Sequence, residues 1–390
     1  MRKKQSVVLF CSLIWFTHSY VSNSFSVLLP LITSEFSLSY AEAGALATAS
    51  ILVFALMQFP TGYLAGRIGS KKIVVFGVAF HSVFNIFLAY STSYVHFFLL
   101  NMLRSVGSGC HLTVATAFIS NHFDERDRGK AIGIHESVIS LAGLVAPVVT
   151  LPLALLFDWR ITYVVYGIVG LAITAASWIF LPGAEGFEKS ATSVQETEIR
   201  FFSTKVLLLL VVMTLQGFVF HSVNAFLPLY LSKDKEILLV YLGYYVAIPN
   251  LLGLIGRPLG GYLSDKIGRI SMALVSFASV ASGIILTVFV REFYWLVLSL
   301  ALLGFGLNTV VPVLFAFLMD LFSPSKRALI TGRINTIRHL IAGLSPSILG
   351  AIADSAGFSI SFLTLALVVV ANMIVTIKMG QVARVVNREQ

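Results

Sequence analysis

Apolar residues fall along this chain in long unbroken runs, without the period-two alternation of a half-buried strand, and short polar clusters separate the runs at near-regular intervals. Twelve runs, at roughly 7–32, 43–65, 72–92, 96–120, 130–156, 160–181, 204–231, 238–262, 270–290, 294–319, 328–353 and 358–379, approach the ~20 residues needed to cross a ~30 Å hydrocarbon layer. Lipid cannot satisfy backbone N–H and C=O groups, so such runs must be helices. The pattern predicts an all-α integral membrane protein with twelve transmembrane helices. The first run follows Arg2, Lys3 and Lys4 and is too long for a signal-peptide core, so it reads as the first span.

Composition agrees: 57% of residues are hydrophobic and 12% charged, against about a quarter charged in soluble domains. The net charge of +9 is spread in clusters between apolar runs, which excludes the single basic face of a nucleic-acid binder. One set of loops holds Arg2, Lys3, Lys4, Arg67, Lys71, Lys72, Arg126, Arg128, Lys130, Lys189, Arg200, Lys205, Lys266, Arg269, Lys326, Arg327, Lys378, Arg384 and Arg388. The other side has Arg160, Lys233, Lys235 and Arg291. That asymmetry predicts cytoplasmic termini in a cell (plasma or inner) membrane. Cys11 and Cys110 are too few and too far apart for a metal site or disulfide framework, and no cofactor is expected. No phosphate loop of the GxxxxGK[ST] kind and no HExxH spacing occurs, which argues against an ATP-driven pump and an enzyme.

The chain also repeats itself. Gly62-Tyr63-Leu64-Ala65-Gly66-Arg67-Ile68-Gly69 returns 199 residues later as Gly261-Tyr262-Leu263-Ser264-Asp265-Lys266-Ile267-Gly268, followed by Arg269. Gly133 and Gly332, Pro147 and Pro346, and, within one residue, Pro30 and Pro228 keep the same offset. Six spans over 1–181 are thus expected as one bundle, 182–203 as a polar cytoplasmic linker, and 204–390 as a second, pseudo-symmetric six-helix bundle. The G-x-L-[SA]-D-[RK]-x-G-[RK] pattern in a tight loop, twice per chain, resembles the loop between the second and third helices of each half in the major facilitator superfamily of secondary transporters. The resemblance implies a substrate path near the midplane between the two halves. It also implies a latch in which Asp265 holds the start of the fifth helix, with Arg128 or Lys130 as partners and Arg269, Gly62 and Gly261 in the gating loops. Gly66 stands where the first loop would carry its acid, so that latch is one-sided.

Several residues inside the spans carry candidate chemistry. Arg104, in a stretch similar to the family's R-x-x-x-G motif, reads either as a cavity residue or as one that snorkels to the outer surface. His111 and His135, with Glu136, are candidates for proton coupling because imidazole titrates near neutrality; the alternative for His111 is a neutral core histidine. Gly143-x-x-Ala146-Pro147 is similar to the antiporter signature of drug-efflux members, or is simply a kinked, small-residue packing face. Trp159 and Arg160 read as an interfacial anchor. The eighth-span stretch Gly256-Arg257-Pro258 resembles the monocarboxylate and oxalate/formate carriers, and Glu136 and Arg257 could form an ion pair between the halves.

The eleventh span is the most polar, with Arg333, Arg338 and His339. Thr331, Asn335, Arg338, Ala342 and Ser345 fall on one helical stripe. Arg338 lies roughly 16 Å from the cytoplasmic end at 1.5 Å per residue. A central arginine costs about 2.5–3.5 kcal/mol on insertion scales and should face protein or water. Arg104, Arg257, Arg333 and Arg338 against Glu136 and Asp320 leave the spans with excess positive charge. The solute expected is therefore a small organic anion, moved with protons or against a counter-anion by a monomeric carrier. Arg338, His339, Asn335, Arg104, His111 and Asn308 are the candidate binding residues. Efflux of amphipathic compounds, favoured by abundant phenylalanine, and a non-transporting membrane sensor are the alternatives.

Overall fold

The protein was analysed as a computed structural model that describes residues 2–183, 204–322 and 324–386. The expected linker at 182–203 falls almost wholly outside these residues. Among the described residues there is no strand. Nine helices each supply a complete span: α1 (Arg2–Glu35), α2 (Tyr40–Ile68), α3 (Ser70–Ala89), α6 (Glu125–Leu156), α7 (Trp159–Phe180), α8 (Thr204–Lys233), α9 (Leu239–Ile267), α10 (Arg269–Phe289) and α11 (Phe293–Asp320). α14 (Phe358–Val386) is the tenth. The fourth and eleventh spans are each divided in two, α4 (Tyr94–Gly109) with α5 (Leu112–His122) and α12 (Pro324–Ala342) with α13 (Ser345–Ala356). The sequence pattern did not indicate these divisions. In the eleventh span Pro346 has no N–H to continue the ladder, and its ring excludes a helical carbonyl four residues back, so α12 ends at Ala342. The stripe from Thr331 to Ser345 therefore stops at Ala342.

The chain forms two compact units, Met1–Leu38 with Ala49–Thr197, and Ser39–Thr48 with Glu198–Gln390. The sequence expectation placed all of 1–181 in the first bundle, and Ser39–Thr48, which includes the start of α2, groups with the second unit. Its reason is electrostatic. Both carboxylate oxygens of Asp354 on α13 accept hydrogen bonds at 2.8 Å from the first backbone amides of α2, Tyr40 N and Ala41 N. These amides have no partner within their own helix, and the positive end of the helix dipole favours the carboxylate.

In the first unit α1 packs on α6, and α3 packs on α7 and α4. Gly107 on α4 lets that helix touch α3: a Cβ there would lie 2.5 Å from the Gly77 carbonyl oxygen and 2.6 Å from the His81 nitrogen. Small residues of this kind are what allow close helix packing in lipid, where apolar burial provides no drive between helices. At the end of the unit that holds the start of α1, Lys4 bonds Asp124 at 2.9 Å and holds that carboxyl below the usual carboxylate range. At the opposite end Trp159 is 5% exposed and bonds Glu35 through its indole nitrogen, so it anchors protein to protein and not to the interface as its sequence position suggested. In the second unit α11 packs on α9 and α10, while α14 packs on α8 and α10.

The repeat is legible in the backbone of the two motif loops. α2 passes to α3 through Gly69 at φ 96°, and α9 passes to α10 through Gly268 at φ 92° and ψ 146°. That conformation is essentially restricted to glycine. No side chain crowds Gly268, whose Cβ would meet nothing closer than Ser271 Oγ at 4.0 Å, so a substitution there reports backbone strain alone. Gly268→Ala and Gly268→Asn are both expected to lower stability by about 1–3 kcal/mol, measured by thermal unfolding in detergent. Relief by asparagine, which tolerates the ordinary left-handed region, would contradict this account.

Candidate functional site

Each unit has its own buried polar cluster. In the first, Arg104 on α4 is 3% exposed and does not snorkel. Its Nη2 and Nε donate to Asn101 Oδ1 at 2.7 and 3.2 Å, one helical turn away, and Asn101 Nδ2 donates to Ser50 Oγ at 2.6 Å. Arg104 Nη1 is buried without a hydrogen-bond partner. Among the described residues no carboxylate forms a salt bridge with it. The guanidinium is thus held by a neutral amide and keeps donor capacity for an anion.

Four histidines from separate elements meet beside it. Ser108 Oγ lies 2.9 Å from His81 Nδ1 and 3.4 Å from His18 Nδ1, and the Arg104 carbonyl oxygen is 3.3 Å from His81 Nδ1. Ring centroids follow at 4.4 Å for His81 and His18, 5.6 Å for His18 and His111, and 5.3 Å for His111 and His135. Trp15 stacks on His111 at 5.4 Å. All four rings are buried. His111 comes into line because it sits in the break between α4 and α5. Sequence reasoning singled out His111 and His135 but not His18 or His81. The available signal was that seven of the eight histidines lie inside the expected apolar spans, five of them in the first half.

The second unit presents Arg338 on α12, as the sequence expected. Its guanidinium lies 5.6 Å from the Phe315 ring, and Nη2 is 3.3 Å from His339 Nε2. Its Nε and the Asn335 and Thr331 side-chain oxygens are buried without hydrogen-bond partners. His221 on α8, absent from the sequence candidates, brings its ring to 5.5 Å from His339. Gly217 makes room for this arginine: a Cβ there would approach Ala342 Cβ at 3.0 Å and Arg338 Cγ at 3.5 Å.

Other candidates sit differently. Arg333 is exposed and Asp320 pairs with Arg269 at 3.1 Å, so neither enters the interior charge balance. Arg104 is buried and Arg257, Arg338 and Glu136 are half-buried, so the excess of positive charge remains. Asn308 is fully used by its neighbours. Its Oδ1 accepts from Arg257 Nε at 3.2 Å, and Nδ2 donates to Gly304 O at 2.9 Å and Pro249 O at 3.4 Å. These bonds make it a clasp between α9 and α11, for which Gly253 leaves the space. Asp265 pairs with Arg269 at 2.5 Å within its own loop, and the partners expected from the loop motif, Arg128 and Lys130, lie in the first unit.

The sequence model described as Major Facilitator Superfamily matches residues 11–290 and 255–388. A probable sulfoacetate transporter of Cupriavidus necator is 25% identical, covering 85% of this chain and 83% of that protein. A hexuronate transporter of Bacillus subtilis is 22% identical, covering 93% and 91%. In fold, a bacterial homologue of the human lysosomal transporter Spinster superposes with a TM-score of 0.85 at 16% identity, covering 98% of this chain and 97% of that one.

The Asn101 clasp is open to test. Asn101→Ala removes the acceptor of a buried guanidinium and should cost about 1–3 kcal/mol of stability, read from thermal unfolding in detergent. Asn101→Asp, which keeps the oxygen and adds opposite charge, should unfold no earlier than the wild type.

Proposed function

We propose that this membrane transporter, which belongs to the Major Facilitator Superfamily, moves a small organic anion, with Arg338 as the main partner of the solute's charge. The observation that carries the reading is the enclosed Arg338 guanidinium, whose buried Nε lacks a partner and which no carboxylate pairs with among the described residues. Burying a charge is expensive unless it is paired. An arginine in this state favours a ligand that supplies the missing negative charge. Its planar fork suits a carboxylate or sulfonate, donating two parallel hydrogen bonds, and it stays charged when enclosed.

The relatives lend support, since the two described above are named for a sulfonated carboxylate and a sugar acid. Arg104, in the first unit, likewise keeps a buried guanidinium nitrogen without a hydrogen-bond partner. Asn335 and Thr331, one and two turns before Arg338 on α12, offer polar atoms for a hydroxylated or dianionic solute. A cation carrier would instead need an enclosed carboxylate beside its path; of the two span acids, Asp320 is exposed and held by Arg269. The distribution of Lys and Arg supports cytoplasmic termini in a cell membrane.

The purified protein in proteoliposomes is expected to exchange labelled sulfoacetate or glucuronate in counterflow. Arg338→Gln should weaken apparent affinity by about ten-fold or more, the loss of one charge-assisted contact. Arg338→Lys should recover only part of it, since a point charge lacks the fork. Wild-type affinity in both variants, or exchange of cations in place of anions, would overturn the assignment.

A further inference from the structure

We infer that His81, His18, His111 and His135 form a proton-carrying chain, and that transport is coupled to protons through it. The inference rests on the anion reading above and adds the coupling ion and its route. Four imidazoles from α3, α1, the α4–α5 break and α6 stand in sequence, with successive ring centroids 4.4, 5.6 and 5.3 Å apart. At such separations a single water spans the gap from one ring to the next. His18 Nε2, His81 Nε2 and both nitrogens of His135 are buried without a hydrogen-bond partner, whereas a merely structural histidine is normally bonded.

Imidazole is suited to relay because it accepts at one nitrogen and releases from the other. A proton arriving at one ring nitrogen makes that ring transiently cationic. Release of the proton from its second nitrogen to the next ring returns it to neutrality in the other tautomer. While the proton is on the chain one ring is cationic, and that charge leaves only when the last ring releases the proton.

The groups around the chain set when it can load. Arg104 on α4 is the charged neighbour, beside His81 and His18. The other titratable neighbours are neutral at ordinary pH: Cys11 on α1, Cys110 beside His111, and Tyr163 on α7 next to Arg104. Glu136 adjoins His135 in sequence but is turned about 100° around α6. A second positive charge close to Arg104 is unfavourable while the guanidinium is uncompensated. A carboxylate or sulfonate bound there removes that repulsion, so the chain takes up its proton together with the anion. The outcome is symport.

The experiment uses the full chain in proteoliposomes, with labelled sulfoacetate and glucuronate as probes. A gradient of one pH unit, acid outside, should drive up to about ten-fold accumulation of the exchanged anion for one proton each. Internal pyranine should record proton entry when that anion is added at equal pH. His18→Gln and His135→Gln should reduce gradient-driven accumulation to about one-fold while leaving counterflow at equal pH near the wild-type rate. Accumulation at the wild-type level in both variants overturns the chain, and so does loss of counterflow in both, because a proton-only role leaves exchange intact. Wild-type counterflow without a gradient response or pyranine signal overturns proton coupling but leaves the anion reading standing. Absence of counterflow with any anion, in wild-type protein that responds to another class of solute, overturns the anion reading instead.

Discussion

In hydrocarbon an unbonded backbone N–H or C=O costs several kcal/mol, so a membrane helix can be interrupted only where protein encloses the freed groups. Among the described residues there are two such interruptions, and both lie beside the candidate chemistry. Cys110 and His111, at the break between α4 and α5, are 2% and 0% exposed, within reach of Trp15, His18 and His135. The break before α13 sits just past Arg338 and His339. The packing that permits irregular backbone is the same packing that gathers polar side chains from several helices.

The two arginines show how a cation can be enclosed without a fixed counter-ion. Arg104 is held by the side-chain oxygen of Asn101, and Arg338 lies over Phe315 and beside His339. A permanent carboxylate partner would satisfy these groups and leave nothing for an anionic solute. Neutral partners hold the guanidinium in place and keep part of its donor set available. The same economy extends to the histidines, whose Nδ1 atoms are held by Ser108 on two rings while Nε2 stays unbonded.

Duplication gives the two units a common plan and leaves room for divergence. The glycine turns at 69 and 268 share an unusual backbone conformation. Pro147 and Pro346 occupy matching positions in the repeat, yet α6 runs unbroken through Pro147 and Pro152 while the eleventh span ends one helix and starts another. Gly66 leaves the first loop without an acid, and Asp354 on α13 caps the start of α2 through two backbone bonds.

Which segments enter the membrane, the doubling of the chain and the excess of cationic over anionic groups within the spans were determined by the sequence alone. These depend on run length and residue type, and lipid tolerates few solutions for a given run. Arg338 was legible for the same reason: a charge near the middle of a span must have a purpose or a partner. What only the tertiary structure decided is which polar residues of different helices face one another. Nothing in the spacing of His18, His81, His111 and His135 joins them, since helix rotation and depth are set by small-residue contacts such as Gly107 against Gly77. Asn308 clasps α9 to α11 because Gly253, 55 residues away along the chain, opens the space it fills. Arg333 and Arg338 are five residues apart on one helix, and packing turns one outward and encloses the other.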